Sequence, residues 1–273
     1  MKACINGNWL AYDDVGCGPA VILIHSFPLC RQMWRAQIKA LSGQGMRVVA
    51  PDLRGFGESV CAEESFSLAA LSDDINALMS YLGIGRAVIV GISMAGGILL
   101  DMLERYPHRV AATCFLSPAM QPSDAAEQVR RFDLAELVRE GHRPTAIDNL
   151  CERLLSGQSS EAQRNLTSQL REWMEVPSDA ALAGALALRP KRLTYRDESR
   201  LYPVPTLIMN GARDRVMPLL KQSGPENGLR HVVNDAGHLI NLEAPLEVNR
   251  SLIGFLQSLS SVKLHHHRLQ RVA

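Results

Sequence analysis

The stretch "RAVIVGISMAGG" (residues 86–97) places a serine between a run of branched aliphatic residues and a cluster of small residues. The run "AVIV" is typical of a buried strand, and "MAGGILLDMLERY" after the serine is typical of a helix. Ser93 is therefore predicted to occupy a strand-to-helix turn at the carboxyl edge of a sheet. Such a turn is strained and its flanks must be small, which explains Gly91 two residues before Ser93 and Ala95 two residues after it.

Other short runs rich in Val and Ile alternate with helical patterns. Strands are predicted at "AVILIH" (20–25), "MRVVAPD" (46–52), "RVAATCFLS" (109–117) and "PTLIMNG" (205–211). Residues 67–83 repeat apolar positions at spacings of three and four, as an amphipathic helix does. The alternation predicts an α/β fold with a mostly parallel, doubly wound sheet covered by helices on both faces.

The alternation stops after Pro118, and residues 119–201 show helical patterns without a strand-like run. Since the strand pattern resumes at "VPTLIMNG", this segment is predicted to be an all-helical cap inserted into one core domain. The core then consists of residues 1–118 and 202–262, and residues 263–273 form a C-terminal tail.

The composition favours a globular protein with a small-molecule partner. Of the 273 residues, 47% are hydrophobic and 21% are charged, and the formal net charge of +1 provides no field that would attract nucleic acid or an anionic membrane. No apolar run is long enough to span a bilayer, and the six cysteines are scattered without a C-x-x-C pair. We expect a cytoplasmic protein with reduced thiols, no bound metal, and neither a nucleic-acid nor a membrane partner.

A serine hydroxyl becomes an effective nucleophile when a base takes its proton and an acid fixes that base. In a sheet of this type the acid and then the histidine follow the serine, each on a loop after a strand. "LIMNGARDRVMP" places Asp214 after a predicted strand, and "VVNDAGHLINLEAP" places His238 after the short run "HVV". The sequence thus predicts a triad of Ser93, Asp214 and His238.

Other residues fit these roles less well. The remaining histidines before the tail precede the serine, close its helix or lack a suitable turn: His25, His108, His142 and His231. Among the acids, Asp124 follows the preceding strand and would serve if the helical segment folded back. Asp235 is close in sequence to His238, and Glu243 is expected to support the histidine loop or to cap the helix that begins near Ala244.

Acyl transfer also needs N–H donors for the oxyanion that develops on the substrate. One donor is the N–H of Met94, beside the nucleophile at the start of the helix. The second is expected from the turn "HSFP" (25–28), at the N–H of Phe27.

These blocks resemble the α/β-hydrolase superfamily, in particular its single-domain members with a helical cap. "GPAVILIHSFP", "MRVVAPDLRGFGES", "VGISMAGG", "NGARDRVMP" and "AGHLINLEAP" follow the blocks of that family in order, within residues 7–260. The resemblance implies Ser93 as nucleophile, Asp214 as acid, His238 as base, and Phe27 and Met94 as oxyanion donors. It implies no cofactor and no metal.

The turn after the first long strand departs from the family pattern, because it reads His25-Ser26 where His-Gly is common. A serine at this point resembles some enol-lactonases and some carbon–carbon bond hydrolases, and "RQMW" ending at Trp34 also looks like the enol-lactonase pattern. Ala95, where the family usually has glycine, is a milder departure.

Four residues are predicted to bind the substrate: Ser26, Trp34, Trp173 and Met174. For the last two, which lie on a helix of the cap, packing in the core is the alternative. Arg54 in the loop "PDLRGFGES" is expected to pair with a nearby carboxylate, and the alternative is that it binds a substrate carboxylate.

The residues together predict a cofactor-independent serine hydrolase of the carboxylesterase or lactonase type, acting on a small ester or lactone. A carbon–carbon bond hydrolase and a cofactor-free perhydrolase would carry the same motifs. A non-catalytic ligand receptor on the same fold is the alternative from another functional class.

Overall fold

The structure of the protein is a computed structural model, which describes residues 1–61, 67–118, 125–158, 160–187, 204–218 and 228–269. In these residues eight strands form one sheet in the order β1-β2-β4-β3-β5-β6-β7-β8. The strands are β1 (Lys2–Ile5), β2 (Asn8–Val15), β3 (Ala20–Ile24), β4 (Arg47–Pro51), β5 (Ala87–Ile92), β6 (Val110–Leu116), β7 (Thr206–Gly211) and β8 (Leu229–Val233).

Strands β3 to β8 run parallel, which confirms the predicted sheet. Strands β1 and β2 form an antiparallel hairpin at one edge, which the sequence analysis does not predict. The signal for this hairpin is the pair Asn6-Gly7, because both residues have positive φ angles, as the tight turn between twisted strands requires.

Helices cover both faces of the sheet. They are α1 (Arg35–Ser42), α2 (Leu68–Tyr81), α3 (Ala95–Arg105), α4 (Ala125–Arg139), α5 (Arg143–Leu154), α6 (Glu161–Met174), α7 (Asp179–Leu186), α8 (Ile240–Glu243) and α9 (Pro245–Leu269). In β3, Val21 and Leu23 pack in the cluster that includes α1 and α9, whereas Ile22 and Ile24 pack in the cluster that includes α2 and α3. A strand buried on both faces explains the continuous apolar runs of the sequence.

Helices α4 to α7 lie in sequence between β6 and β7, and the described residues from 125 to 187 contain no strand. Part of this segment has a small apolar cluster of its own, which includes Leu134, Val138 and Leu182. The predicted boundaries of the cap, at 119 and 201, lie outside the described residues, as do 270–273. Helix α9 continues to Leu269, within the segment predicted to be a tail.

No helix in the described ranges is both long enough and apolar enough to cross a membrane.

Candidate active site

Ser93 forms the turn between β5 and α3. Its φ angle is +57°, in the left-handed region that residues other than glycine rarely adopt. The N–H of Ser93 donates to the carbonyl of Leu116 at the end of β6 over 2.9 Å, so the neighbouring strand helps to hold the strained turn. Ser93 is partly exposed at the carboxyl edge of the sheet.

The small residues on either side of Ser93 are required by close packing. A Cβ atom added to Gly91 would lie 2.6 Å from Cδ1 of Leu99 and 2.9 Å from Cβ of Ala95. Because the interior is close-packed, a larger residue at position 91 or 95 would separate α3 from β5. The structure thus provides the physical reason for the small flanks of the serine.

Asp214 and His238 follow β7 and β8, at the same edge of the sheet as Ser93. Nδ1 of His238 lies 2.8 Å from Oδ2 of Asp214, and both side chains are fully buried. Oδ1 of Asp214 accepts hydrogen bonds from the N–H groups of Val216 and Met217, each over 2.8 Å. Since an ionised carboxylate only accepts, Nδ1 carries the hydrogen that joins the two side chains.

The second ring nitrogen of His238 is open. Nε2 is buried and makes no hydrogen bond within the part of the chain that the structure describes, Ser93 included. With the hydrogen on Nδ1, Nε2 holds the lone pair and is able to accept a proton. The structure therefore joins Asp214 and His238 directly and places Ser93 at the same edge of the sheet. In enzymes, hydrogen bonds between catalytic residues often shorten only in the substrate complex.

The turn after β3 is anchored to the loop after β4. Nε2 of His25 accepts from the N–H of Leu53 over 2.8 Å, so Nδ1 holds the hydrogen and donates to the carbonyl of Ser26 over 2.8 Å. Burial lowers the pKa of His25, and the opposing attraction of Asp52 is the smaller effect. The carboxylate of Asp52 also accepts from the backbone N–H of Arg31 over 2.6 Å and forms a buried ion pair with its guanidinium.

The two predicted oxyanion donors follow adjacent strands, Phe27 after β3 and Met94 after β5. Neither backbone N–H has a hydrogen-bond acceptor among the residues in the described ranges. Such N–H groups are available to a negatively charged oxygen. The ring of Phe27 packs edge-on against Phe56, with 5.4 Å between centroids, and also contacts the apolar cluster of the helical segment.

The residues predicted to bind the substrate are buried. Ser26, Trp34 and Met174 have no exposed surface, and Trp173 is 7% exposed. The two tryptophans and Met174 belong to one apolar cluster that also contains Leu239, beside His238. That they line a pocket stays a prediction.

The alternative residues have other surroundings. Asp124 lies outside the described residues. Asp235 forms an ion pair of 2.8 Å with Arg213, and both side chains are exposed. Arg54 binds Asp74 through two hydrogen bonds of 2.7 Å each, which confirms the expected pairing with a carboxylate. Within the described ranges no group of three or more His, Cys, Asp or Glu side chains is arranged to hold a metal ion.

One support of the histidine loop is not predicted from the sequence. The carbonyl of Leu154, at the end of α5, accepts from the N–H groups of both His238 and Leu239, each over 3.2 Å. Carbonyls in the last turn of a helix have no partner inside it, so they are free to bind elsewhere. No sequence pattern marks this contact, because it depends on the backbone of a distant element. Glu243 accepts from the N–H of Gly237 over 2.9 Å, which confirms the expected support of this loop.

Comparison with known proteins identifies the family. Residues 19–245 match the family model described as the alpha/beta hydrolase fold. A non-heme haloperoxidase of Rhodococcus erythropolis is 25% identical over 269 residues, which cover 93% of this chain and 97% of that protein. A thermophilic esterase of Thermogutta terrifontis is 28% identical with a TM-score of 0.80, over 95% of this chain and 98% of the esterase.

An enol-lactonase of Burkholderia xenovorans LB400 has a TM-score of 0.85 at 22% identity, over 94% of this chain and 100% of the lactonase. At this identity the similarity concerns the fold. Because the family model spans most of the sequence, the chain belongs to the alpha/beta hydrolase family of enzymes.

Proposed function

We propose that the protein is a serine hydrolase that cleaves a small carboxylic ester or lactone through an acyl-enzyme. The observation that carries this proposal is the buried pair of His238 and Asp214, whose remaining nitrogen, Nε2, is without a partner in the described structure. That nitrogen and the strained turn of Ser93 belong to the same edge of the sheet. Together these observations support His238 as the base that takes the hydroxyl proton of Ser93.

In the proposed reaction, Nε2 of His238 takes the hydroxyl proton of Ser93 as the oxygen attacks the substrate carbonyl. The N–H groups of Phe27 and Met94 hold the negative oxygen of the tetrahedral intermediate. His238 then returns the proton to the leaving alcohol, and an acyl-enzyme remains on Ser93. Water, deprotonated by the same imidazole, hydrolyses this ester, and Asp214 stabilises the imidazolium in both steps.

The helical segment between β6 and β7 is proposed to act as a cap that excludes water and selects the substrate. The contacts of Phe27 with this segment support the assignment, because they put the expected oxyanion turn beside it. The esterase of Thermogutta terrifontis, at 28% identity, supports ester chemistry for the site.

The relation to a non-heme haloperoxidase favours one second reaction. Hydrogen peroxide in place of water would attack the same acyl-enzyme, releasing a peracid and regenerating Ser93. This perhydrolysis requires the same three side chains and no further group from the protein.

The proposal is tested with the purified protein and a p-nitrophenyl acetate assay, with Ser93→Ala as the matched variant. Turnover by the wild type that falls to background in Ser93→Ala is the expected result. Equal turnover by both proteins would refute Ser93 as the nucleophile. Preferential cleavage of a vinylogous diketone would contradict ester specificity in favour of a carbon–carbon bond hydrolase, and peracid formation that outpaces hydrolysis would favour the perhydrolase.

A further inference from the structure

We propose that Glu243 is a positioning residue for His238, which it controls by clamping the histidine loop to the connection between α5 and α6. The inference rests on the proposed function, because it assigns Glu243 a role in holding the proposed base.

The carboxylate of Glu243 joins two segments that are far apart in sequence. Oε1 accepts from the N–H of Gly237, the residue before His238, over 2.9 Å. Oε2 accepts from the N–H of Ser156 over 2.9 Å and from Nε2 of Gln163 over 3.1 Å. One side chain therefore satisfies a donor of the histidine loop, a donor of the α5–α6 connection and a side chain of α6.

A second set of contacts joins the histidine loop to the end of α5. The carbonyl of Leu154 accepts from the N–H groups of His238 and Leu239, each over 3.2 Å. The end of α5 thus holds the backbone of His238 directly through Leu154, and the α5–α6 connection holds Gly237, one residue earlier, through Glu243.

The backbone at Gly237 is also in close contact with the backbone of Leu155 and Ser156. A Cβ atom added to Gly237 would lie 2.5 Å from the backbone nitrogen of Ser156 and 2.6 Å from the carbonyl carbon of Leu155. With the backbones in contact, the position of the loop follows the position of residues 154–156.

This clamp complements the contact with Asp214. Asp214 fixes Nδ1, but the ring still pivots about that hydrogen bond if its backbone shifts. In Glu243→Gln one of the two oxygens becomes an NH2 group that cannot accept, so the N–H of Gly237 or that of Ser156 loses its acceptor, and the loop would relax away from the segment it faces. Displacement of Nε2 by about 1 Å is enough to lower a rate roughly 100-fold. We therefore expect loss of the clamp to lower kcat and to leave substrate affinity unchanged.

The experiment compares Glu243→Gln with a control, Glu247→Gln, at a partly buried glutamate whose carboxylate pairs with His231. With p-nitrophenyl acetate, Glu243→Gln is expected to lower kcat by about 10- to 100-fold with KM within about twofold of the wild type. Glu247→Gln is expected to retain wild-type values. In a His238→Ala background, Glu243→Gln is expected to cause no further loss, because its effect is transmitted through the imidazole.

Unchanged kcat in Glu243→Gln, a loss that matches the unfolded fraction seen by circular dichroism, or a further loss in the His238→Ala background would each overturn the inference. If Glu243→Gln does not fold, Gln163→Leu removes one of the three donors of the clamp; a fall in kcat at constant KM supports the proposal and unchanged kcat refutes it. Wild-type turnover by Ser93→Ala would instead refute the proposed function, so the two failures are distinguishable.

Discussion

At the residue scale, the carboxylate of Asp214 is held by three donors. The N–H groups of Val216 and Met217 bind one oxygen, and Nδ1 of His238 binds the other. The two backbone bonds orient the carboxylate independently of the imidazole. This orientation fixes which nitrogen of His238 carries the hydrogen, and so leaves on Nε2 the lone pair that the proposed mechanism requires.

The variant Asp214→Asn tests this orientation. An amide retains the shape of the carboxylate but presents an N–H to His238 or to the backbone, so the imidazole loses the proton arrangement that the base needs. We expect ester turnover to fall by about 10⁴-fold with nearly unchanged unfolding in urea. Asp235→Asn, at an exposed acid near the same loop, is the control and should keep full activity. Wild-type turnover in Asp214→Asn would remove Asp214 from the proposed mechanism.

His25 provides a prediction about pH. Its pKa is lowered by burial, so between about pH 6.5 and the lower pKa of the folded state the unfolded chain binds more protons than the folded one. Stability from this group is therefore present above about pH 6.5 and is lost as the pH falls through that window. As the pH falls, the free energy of unfolding of the wild type should decrease more steeply than that of His25→Asn. The two slopes should differ by up to about 1.4 kcal/mol per pH unit.

Urea titrations at several pH values between 7.5 and 5 measure these slopes. Equal slopes for the wild type and His25→Asn would show that His25 is not held neutral by burial.

At the element scale, the conformation of the Ser93 turn depends on the distance between β5 and α3. Gly91→Ala should destabilise the protein by about 1–3 kcal/mol, because the new methyl group would overlap with Leu99 and Ala95. Gly85→Ala is the matched control, since a Cβ there meets nothing within 4 Å, and it should change stability by less than about 0.5 kcal/mol. Urea unfolding measures both. Equal stability of the two variants would contradict the close packing behind Ser93.

The strands differ in how well their sequences predict them. Buried parallel strands such as β5 are continuous apolar runs, so "AVIV" predicts its strand and the serine at its end. The edge strands β1 and β2 mix polar and apolar residues and escape this criterion. The order Ser93, Asp214, His238 is a chain-wide pattern and predicts the pairing of the last two. The two hydrogen bonds that the carbonyl of Leu154 accepts involve only backbone atoms and no residue type, so no sequence pattern predicts them.

At the scale of the whole molecule, the six cysteines differ in their exposure to solvent, and their reactivity with a thiol reagent can therefore test the fold. Cys4 and Cys17 are exposed, whereas Cys30, Cys114 and Cys151 are buried. Burial raises the pKa of Cys30 to about 12 and the pKa of Cys151 to about 11, and it also raises the pKa of Cys114. Because the thiolate is the reactive form, the buried thiols are protected from modification both by their inaccessibility and by their raised pKa values.

A thiol titration with Ellman's reagent at pH 8 tests this arrangement. In the folded protein, Cys4 and Cys17 should react rapidly and Cys61, which is partly exposed, more slowly. The three buried cysteines should react only after urea is added. Rapid modification of Cys114 in the folded protein, located by peptide mass, would contradict the buried position of β6.

The most direct test of the proposed mechanism is labelling with a fluorophosphonate, which reacts with a serine whose proton is taken by a base. We expect one modified peptide in the wild type, with the label on Ser93, and no label in His238→Ala at the same protein concentration. Labelling of Ser93 at the wild-type rate in His238→Ala, or labelling of a different serine in the wild type, would contradict the assignment of Ser93 and His238 as nucleophile and base.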